Sequence, residues 1–459
     1  MLGNIPRIMI TGSNSGSGKT TITCAILKAL MNIKSIPAAF KSGPDYIDPM
    51  FHSKVIGAHS RNLDLFMLGK ETIKYLLLKN SRKADIAVLE GAMGFYDGMG
   101  KTTECSAYEL AIVTGTPVIL VVNGKGASLS AAALIKGFKE FRADSNIQGV
   151  ILNNINPMSY VYYKEVIEKE TGIKLLGYMP PMKDCGFESR HLGLITAEEI
   201  SDLQDIVDKL AEQAAKSIDL AAISALAKEA PVLEYTTQEI RNIAKVKIAI
   251  ASDKAFCFYY QDALDLLQEL GAELLPFSPL RDNKMPQCDG LILGGGYPEV
   301  YAQELADNKA IMQDIKTALE ANMPCFAECG GFMYLLDSYK ENEKHYKWVG
   351  AITGETFMTE SLKRFGYITL EAQRDNVLTP AGGKINAHEF HYSDSTSNGT
   401  GFLACKASGR GQWFSSHVTD TMYAGYPHMH LWGNIEFAKN FINACAKYKK
   451  AAEQGDKKC

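Results

Sequence analysis

At 459 residues the chain is too long for one ordinary hydrophobic core, and 46% hydrophobic with 22% charged residues marks a globular protein of about two domains. A formal charge of −4 gives no electrostatic case for nucleic acid, which selects a clearly basic surface, yet leaves room for a local basic pocket holding an anionic small molecule. Ten cysteines without a C-x-x-C pair or metal-ligand spacing read as reduced thiols rather than a disulfide framework.

The N-terminal residues lack a signal-peptide layout, and no apolar run approaches the length of a bilayer span. The expectation is a cytoplasmic protein with neither a membrane nor a nucleic-acid partner.

In chain order, Arg7-Ile8-Met9-Ile10 reads as a buried strand, followed by a Gly/Ser-rich loop and a helix from Thr20 to Leu30. Ile86-Ala87-Val88-Leu89, Pro117–Val122 and Gly149–Asn153 read as further strands, with helical patterns between them. Continuous β-branched runs alternating with helices predict a doubly wound parallel sheet covered on both faces. Chemistry in such sheets lies beyond the carboxyl ends of the strands, so the polar residues just after each strand are the ones that matter.

From about Leu203 to Ala244 the pattern is helical and charged, with Pro231 interrupting it. A new strand, Val246–Ala251, restarts the α/β alternation, and Leu291–Leu293 and Met323–Ala327 continue it. The expected division is a nucleotide-binding domain over 1–225, a linker over 226–244, a second α/β domain over 245–446 and a polar tail over 447–459.

The first chemical motif is Thr11-Gly12-Ser13-Asn14-Ser15-Gly16-Ser17-Gly18-Lys19-Thr20-Thr21. Backbone N–H groups of such a loop converge on phosphate oxygens, Lys19 neutralises the outer phosphates, and Thr20 presents a hydroxyl to Mg²⁺. Gly12 and Gly18 are separated by five residues, one more than in the standard loop. Downstream, Lys41-Ser42-Gly43-Pro44-Asp45-Tyr46-Ile47-Asp48-Pro49 and Glu90-Gly91 supply acids near strand ends, and Asp97 follows in a glycine-rich loop. Asp45, Glu90 and Asp97 suit Mg²⁺, a hard cation that shares oxygen ligands with phosphates. A solvated surface turn is the alternative for each of these acids.

The second motif is Ala327-Glu328-Cys329-Gly330-Gly331 after an apolar strand. A nucleophile needs a tight turn with small neighbours, and a helix N-terminus beside it is expected to lower the pKa of the Cys329 thiol. A buried structural cysteine is the alternative. Gly294-Gly295-Gly296-Tyr297-Pro298-Glu299 follows another strand, and its backbone amides, at Gly295 and Gly296, are candidates for an oxyanion hole. Candidate bases for the thiol are His388 and His391 in one segment and His428 and His430 in another.

The extended phosphate loop resembles dethiobiotin synthetase, which activates a carboxylate with ATP. The loop, the Lys41–Pro49 segment, Glu90-Gly91 and Arg190-His191-Leu192-Gly193-Leu194 together resemble the cobyrinic acid a,c-diamide synthase family, over about residues 6–445. The resemblance implies a dethiobiotin-synthetase-like P-loop domain fused to a class I glutamine amidotransferase domain of flavodoxin-like fold. It implies ATP and glutamine as co-substrates, Mg²⁺ as cofactor, and a corrinoid or related tetrapyrrole polycarboxylate as acceptor; a homodimer is among the expected assemblies.

By the same resemblance Thr20, Asp45 and Glu90 are metal candidates, Asn153 an adenine candidate, and Tyr46, Asp48, Asp97, Arg190 and His191 lie near the tetrapyrrole. The Gly-x-Tyr-x-His pattern of the family aligns best on His428, with His430 the second candidate. Many class I enzymes carry Glu two residues after this histidine; the chain has His430 there, which implies a Cys–His dyad. The chain also departs from the family pattern at Asn123, where Asp is frequent, and at Asn154, where Arg is common.

Three rival readings follow. Hydrogenobyrinic acid or nickel-sirohydrochlorin would keep the chemistry and change the macrocycle. A P-loop switch protein with an inactive amidotransferase module would make no amide, and the intact Cys329 speaks against it. Cobyric acid synthase is disfavoured by Ser15–Thr20 and Asp45–Pro49.

Overall fold

The computed structural model describes residues 1–182, 185 and 203–455, and the chain divides into two compact units, Met1–Gln238 and Glu239–Cys459. Among the described residues no helix is long and apolar enough to cross a membrane.

The first unit is built on a seven-stranded, wholly parallel sheet. Its order is Ser60–Leu63, Pro37–Ser42, Ile86–Glu90, Arg7–Gly12, Val118–Asn123, Ile147–Asn153 and Lys174–Met179. Strands Arg7–Gly12 and Ile86–Glu90 are buried throughout, as expected where helices cover both faces. The helix Lys19–Asn32 buries Ile22, Ala25, Ile26, Ala29 and Leu30, a stripe at i, i+3, i+4, i+7 and i+8. That stripe shares a core with Val207, Leu210, Ala211 and Ala214 of the helix Leu203–Ser217. Parallel register sets Glu90 beside Lys41 and Asn123 beside Asn153, all at the carboxyl edge.

Part of the expected linker belongs to this unit. Leu233–Glu234 pairs antiparallel with Leu2–Gly3, and Ala227 is fully buried. The guanidinium of Arg7, itself fully buried, donates to the carbonyls of Pro231 at 2.6 Å, Thr114 at 2.7 Å, Ile5 at 3.1 Å and Gly115 at 3.5 Å. A buried cation without a carboxylate is tolerable only when its donors are met in this way. Pro231 is thus fixed against the start of the first strand, and the division between units falls later, after Gln238.

The second unit has a six-stranded sheet in the order Ala272–Phe277, Val246–Ala251, Gly290–Leu293, Cys325–Glu328, Met422–Gly425 and His417–Val418. The first five strands are parallel and the edge strand His417–Val418 is antiparallel. The segment between the fourth and fifth strands builds two further sheets, one of them completed by a strand after the fifth, which the strand–helix alternation did not announce. One of them pairs Gln412–Ser415, Phe402–Lys406, Arg364–Ala372, Lys384–His391 and His428–Met429. The final helix, Ile435–Gly455, runs past the expected end of the domain at 446, with Phe437, Ala438, Phe441, Ile442 and Cys445 buried.

Candidate functional sites

In the first unit the loop after Gly12 turns into the helix at Gly18, which takes φ +94°. A side chain there would be strained and would overlap the amide of Asn153, whose Nδ2 donates to the Ser17 carbonyl at 3.0 Å. Lys19 Nζ donates to the Asn14 carbonyl at 3.0 Å, so the lysine arches over the loop. Burial and the neighbouring Lys41 lower its pKa. Phe95 N–H donates to the Gly12 carbonyl at 2.9 Å, which sets the Gly91–Gly98 loop against the phosphate loop. Asp97 caps that second loop by accepting from Gly94 N–H at 2.9 Å.

Glu90 is the hub. Its Oε1 accepts from Thr20 Oγ1 at 2.7 Å and from Lys41 Nζ at 2.8 Å, while Oε2 lies 3.3 Å from His52 Nε2. Lys41 also pairs with Asp48. Burial opposes charge on Glu90, but Lys41 and His52 outweigh it and hold the carboxyl well below its usual range. Burial wins at Asp48, which is pushed up to about 7 against the pull of Lys41.

Several of the sequence candidates are brought together here: Gly12 to Thr21, Asp48, Glu90, Asp97 and Asn153. Asp45 instead spends Oδ1 on the amides of Ile47 (2.8 Å) and Asp48 (3.2 Å), and Tyr46 is buried. Asn153 braces the loop through Nδ2, and its Oδ1 accepts from Asn154 N–H at 3.0 Å. Arg190 and His191 lie outside the described residues. Lys41 as the partner of Glu90 was not foreseen, although it lies in the segment quoted above, and His52 carried no sequence signal.

Whether Mg²⁺ fits is decided by the donors. Among the described residues no group of three His, Cys, Asp or Glu could hold a metal by itself. Thr20 and Glu90 offer two adjacent hard oxygens beside a phosphate loop, which suits a cation that takes its remaining ligands from phosphate and water.

In the second unit Cys329 closes the strand Cys325–Glu328 and caps the helix Gly330–Leu335 with φ +47° and ψ −106°. A non-glycine residue in that region carries about 1–3 kcal/mol of strain, which a nucleophile turn commonly holds. The turn is held by Cys329 N–H donating to the Gly425 carbonyl at 2.7 Å. A Cβ on Gly330 would stand 3.2 Å from the Gly296 nitrogen, so the glycine loop comes up against the nucleophile turn. A Cβ on Gly295 would stand 2.6 Å from His428 Cε1, which places that ring on the same loop.

The thiol departs from expectation. Burial first, then the charges of Glu299, Glu328 and Glu389, push the Cys329 pKa up, and the Gly330 N–H opposes them only in part. Desolvation outweighs the one-and-a-half-turn helix. His428 moves the other way: burial, then His388 and His391, hold its pKa well below the ordinary value. The resting pair is therefore a thiol and a neutral imidazole, which requires proton transfer to a base during attack.

The four histidines separate by geometry. His428 Nδ1 lies 4.0 Å from Glu328 Oε2, and its ring stacks on His388 at 5.0 Å and 17°. His388 Nε2 is bonded to Tyr260 OH at 2.8 Å. His391 has both nitrogens engaged, Nδ1 with the Ser393 carbonyl at 2.7 Å and Nε2 with Glu389 Oε2 at 3.1 Å, so neither is left to take a thiol proton. His430 is fully buried, stacks on Tyr260 at 4.8 Å, and has no hydrogen-bond partner on either nitrogen. Glu328 as the acid facing His428 was missed, although it stands inside the quoted motif.

Comparison with known proteins agrees with this division. Residues 8–192 match the family model of the CobQ/CobB/MinD/ParA nucleotide binding domain, and residues 247–435 that of the CobB/CobQ-like glutamine amidotransferase domain. The chain is 39% identical over 445 residues to a cobyrinate a,c-diamide synthase of Caldanaerobacter subterraneus subsp. tengcongensis, covering 96% of this chain and 98% of that one. It is 40% identical over 440 residues to the protein of the same name from Clostridium tetani, with 95% and 99% covered. With that from Thermoplasma volcanium it shares 38% over 458 residues, with 98% and 99% covered.

Proposed function

The chain belongs to the cobyrinate a,c-diamide synthase family, and from that premise we propose that it amidates the a and c carboxylates of cobyrinic acid with ATP and glutamine, or free ammonia, through a phosphorylated carboxylate. The observation that carries this reading is the presence in one chain of a phosphate loop with Thr20 bonded to Glu90 and a strained cysteine turn beside a buried neutral histidine.

Ammonia alone reacts poorly with a carboxylate, so a phosphate leaving group must be installed first. The loop amides and Lys19 hold the outer phosphates of ATP, and Lys19 stabilises charge on the transferring phosphoryl group. Thr20 and Glu90 would hold Mg²⁺, whose positive charge would offset that of the phosphates. By the family resemblance Tyr46, Asp48, Asp97, Arg190 and His191 serve the tetrapyrrole, and a guanidinium such as that of Arg190 suits a carboxylate.

At the second site Cys329 Sγ attacks the amide carbon of glutamine as its proton passes to His428. Amides of Gly295 and Gly296 receive the oxyanion. The imidazolium returns the proton to departing ammonia, and water hydrolyses the glutamyl thioester.

We place the protein in the cytoplasm; the nine described cysteines, all free, fit a reducing compartment. The decisive experiment is mass spectrometry of cobyrinic acid after incubation with the enzyme, Mg·ATP and amide-¹⁵N glutamine. Labelled mono- and diamide support the proposal. No amide from cobyrinic acid, with amide from nickel-sirohydrochlorin or hydrogenobyrinic acid, moves the activity to another macrocycle. Nucleotide-dependent dimerisation without any amide product supports a switch protein.

A further inference from the structure

We propose that Glu328 completes a Cys329–His428–Glu328 triad, as a positioning residue whose carboxylate holds the His428 ring from its Nδ1 side so that Nε2 serves the thiol. This rests on the amidotransferase reading of Cys329 and replaces the dyad that the sequence implied.

The usual place for the third residue, two positions after the histidine, is filled by His430, which is packed on Tyr260 and cannot supply a carboxylate. The fold provides the acid from elsewhere. Strands Cys325–Glu328 and Met422–Gly425 run parallel, with Glu328 opposite Gly425. His428 follows Gly425 by three residues, and Cys329 follows Glu328 directly, so one strand pair brings acid, nucleophile and base to the same edge.

The carboxyl group is then fixed at one oxygen and turned to the ring with the other. Oε1 accepts from the backbone N–H of Met429 at 2.7 Å, which ties Glu328 to the two-residue strand that carries the histidine. Oε2 faces His428 Nδ1 at 4.0 Å. The stacked His388 ring, anchored by Tyr260, limits rotation about the opposite face. An acid so placed selects the tautomer of the ring and stabilises the imidazolium that forms when the thiol gives up its proton. Burial pushes the Glu328 carboxyl up to about 8, so at neutral pH it rests largely protonated beside the neutral ring, and the charge forming on His428 favours its ionisation to the carboxylate.

The test compares wild type, Glu328→Gln and Glu328→Asp in two assays on the same preparations: glutamate release from glutamine, and amide formation driven by ammonium. For Glu328→Gln we expect glutaminase kcat to fall about 10²–10⁴-fold, with the KM for glutamine little changed and the ammonium reaction retained. Glu328→Asp should recover part of the lost kcat.

Wild-type kcat in Glu328→Gln, or a loss carried by KM alone, overturns the proposal. Should Glu328→Gln also lose the ammonium reaction, Glu328→Asp decides: kcat restored towards wild type supports the triad, and kcat as low as in Glu328→Gln overturns it. Absence of glutamate release from the wild type is a different failure, that of the amidotransferase reading itself.

Discussion

Asn153 donates its side-chain Nδ2 to the carbonyl of Ser17 at 3.0 Å, tying the end of the strand Ile147–Asn153 to the phosphate loop through the space that Gly18 leaves open. Replacing Gly18 with Ala would set a Cβ against that amide at φ +94°. Left-handed strain alone costs about 1–2 kcal/mol, so affinity for Mg·ATP should fall about tenfold or more. Titration with a fluorescent ATP analogue measures this, and unchanged affinity would mean that the Asn153 brace is dispensable.

Lys19→Ala removes the cation at the outer phosphates. Amide formation should drop by at least about 10²-fold with glutamine and with ammonium alike, because activation precedes either nitrogen source. Cys329→Ala should lose only the glutamine reaction. Parallel assays with both donors separate the two sites, and full activity of Lys19→Ala with either donor would remove the loop from the mechanism.

The raised pKa of Cys329 has a kinetic signature. A thiol whose pKa is raised stays protonated below that value, so its thiolate fraction keeps climbing about tenfold per pH unit where an ordinary cysteine, near 8.5, levels off. Alkylation of the Cys329 peptide by iodoacetamide without glutamine, followed by mass spectrometry, should show no plateau up to pH 10. A plateau near pH 8.5 would contradict the resting thiol.

His428 and His430 can be told apart by one substitution each. His430→Phe keeps the stack on Tyr260 and removes two buried nitrogens that have no hydrogen-bond partner, so glutaminase activity should survive. His428→Phe should lower kcat about 10²–10⁴-fold, the range of a general base. The reverse result in steady-state glutaminase assays would make His430 the base.

What could be read from the sequence was what is local. The phosphate loop, Glu90 at a strand end and Cys329 before two glycines are contiguous signals, and each stands where its motif put it. The partners of those residues are not local. Lys41 meets Glu90 because Pro37–Ser42 lies beside Ile86–Glu90, and His52 comes to it from the start of the helical turn His52–Ile56. Glu328 and His428 are a hundred positions apart and meet through one strand pairing. The division after Gln238 falls inside the expected linker, but no composition shift reveals that Arg7 binds the carbonyl of Pro231 within it. The thiol pKa went the opposite way because a motif carries no information on burial.

The hydrogen bonds to Glu90 would make cation binding there a competition rather than a simple addition. Oε1 already serves Thr20 and Lys41, so a cation bound through that oxygen would compete with both. Within the site the charge of Glu90 is already met by Lys41. A cation that arrives escorted by nucleotide phosphates can recover the displaced bonds elsewhere, while a bare one cannot.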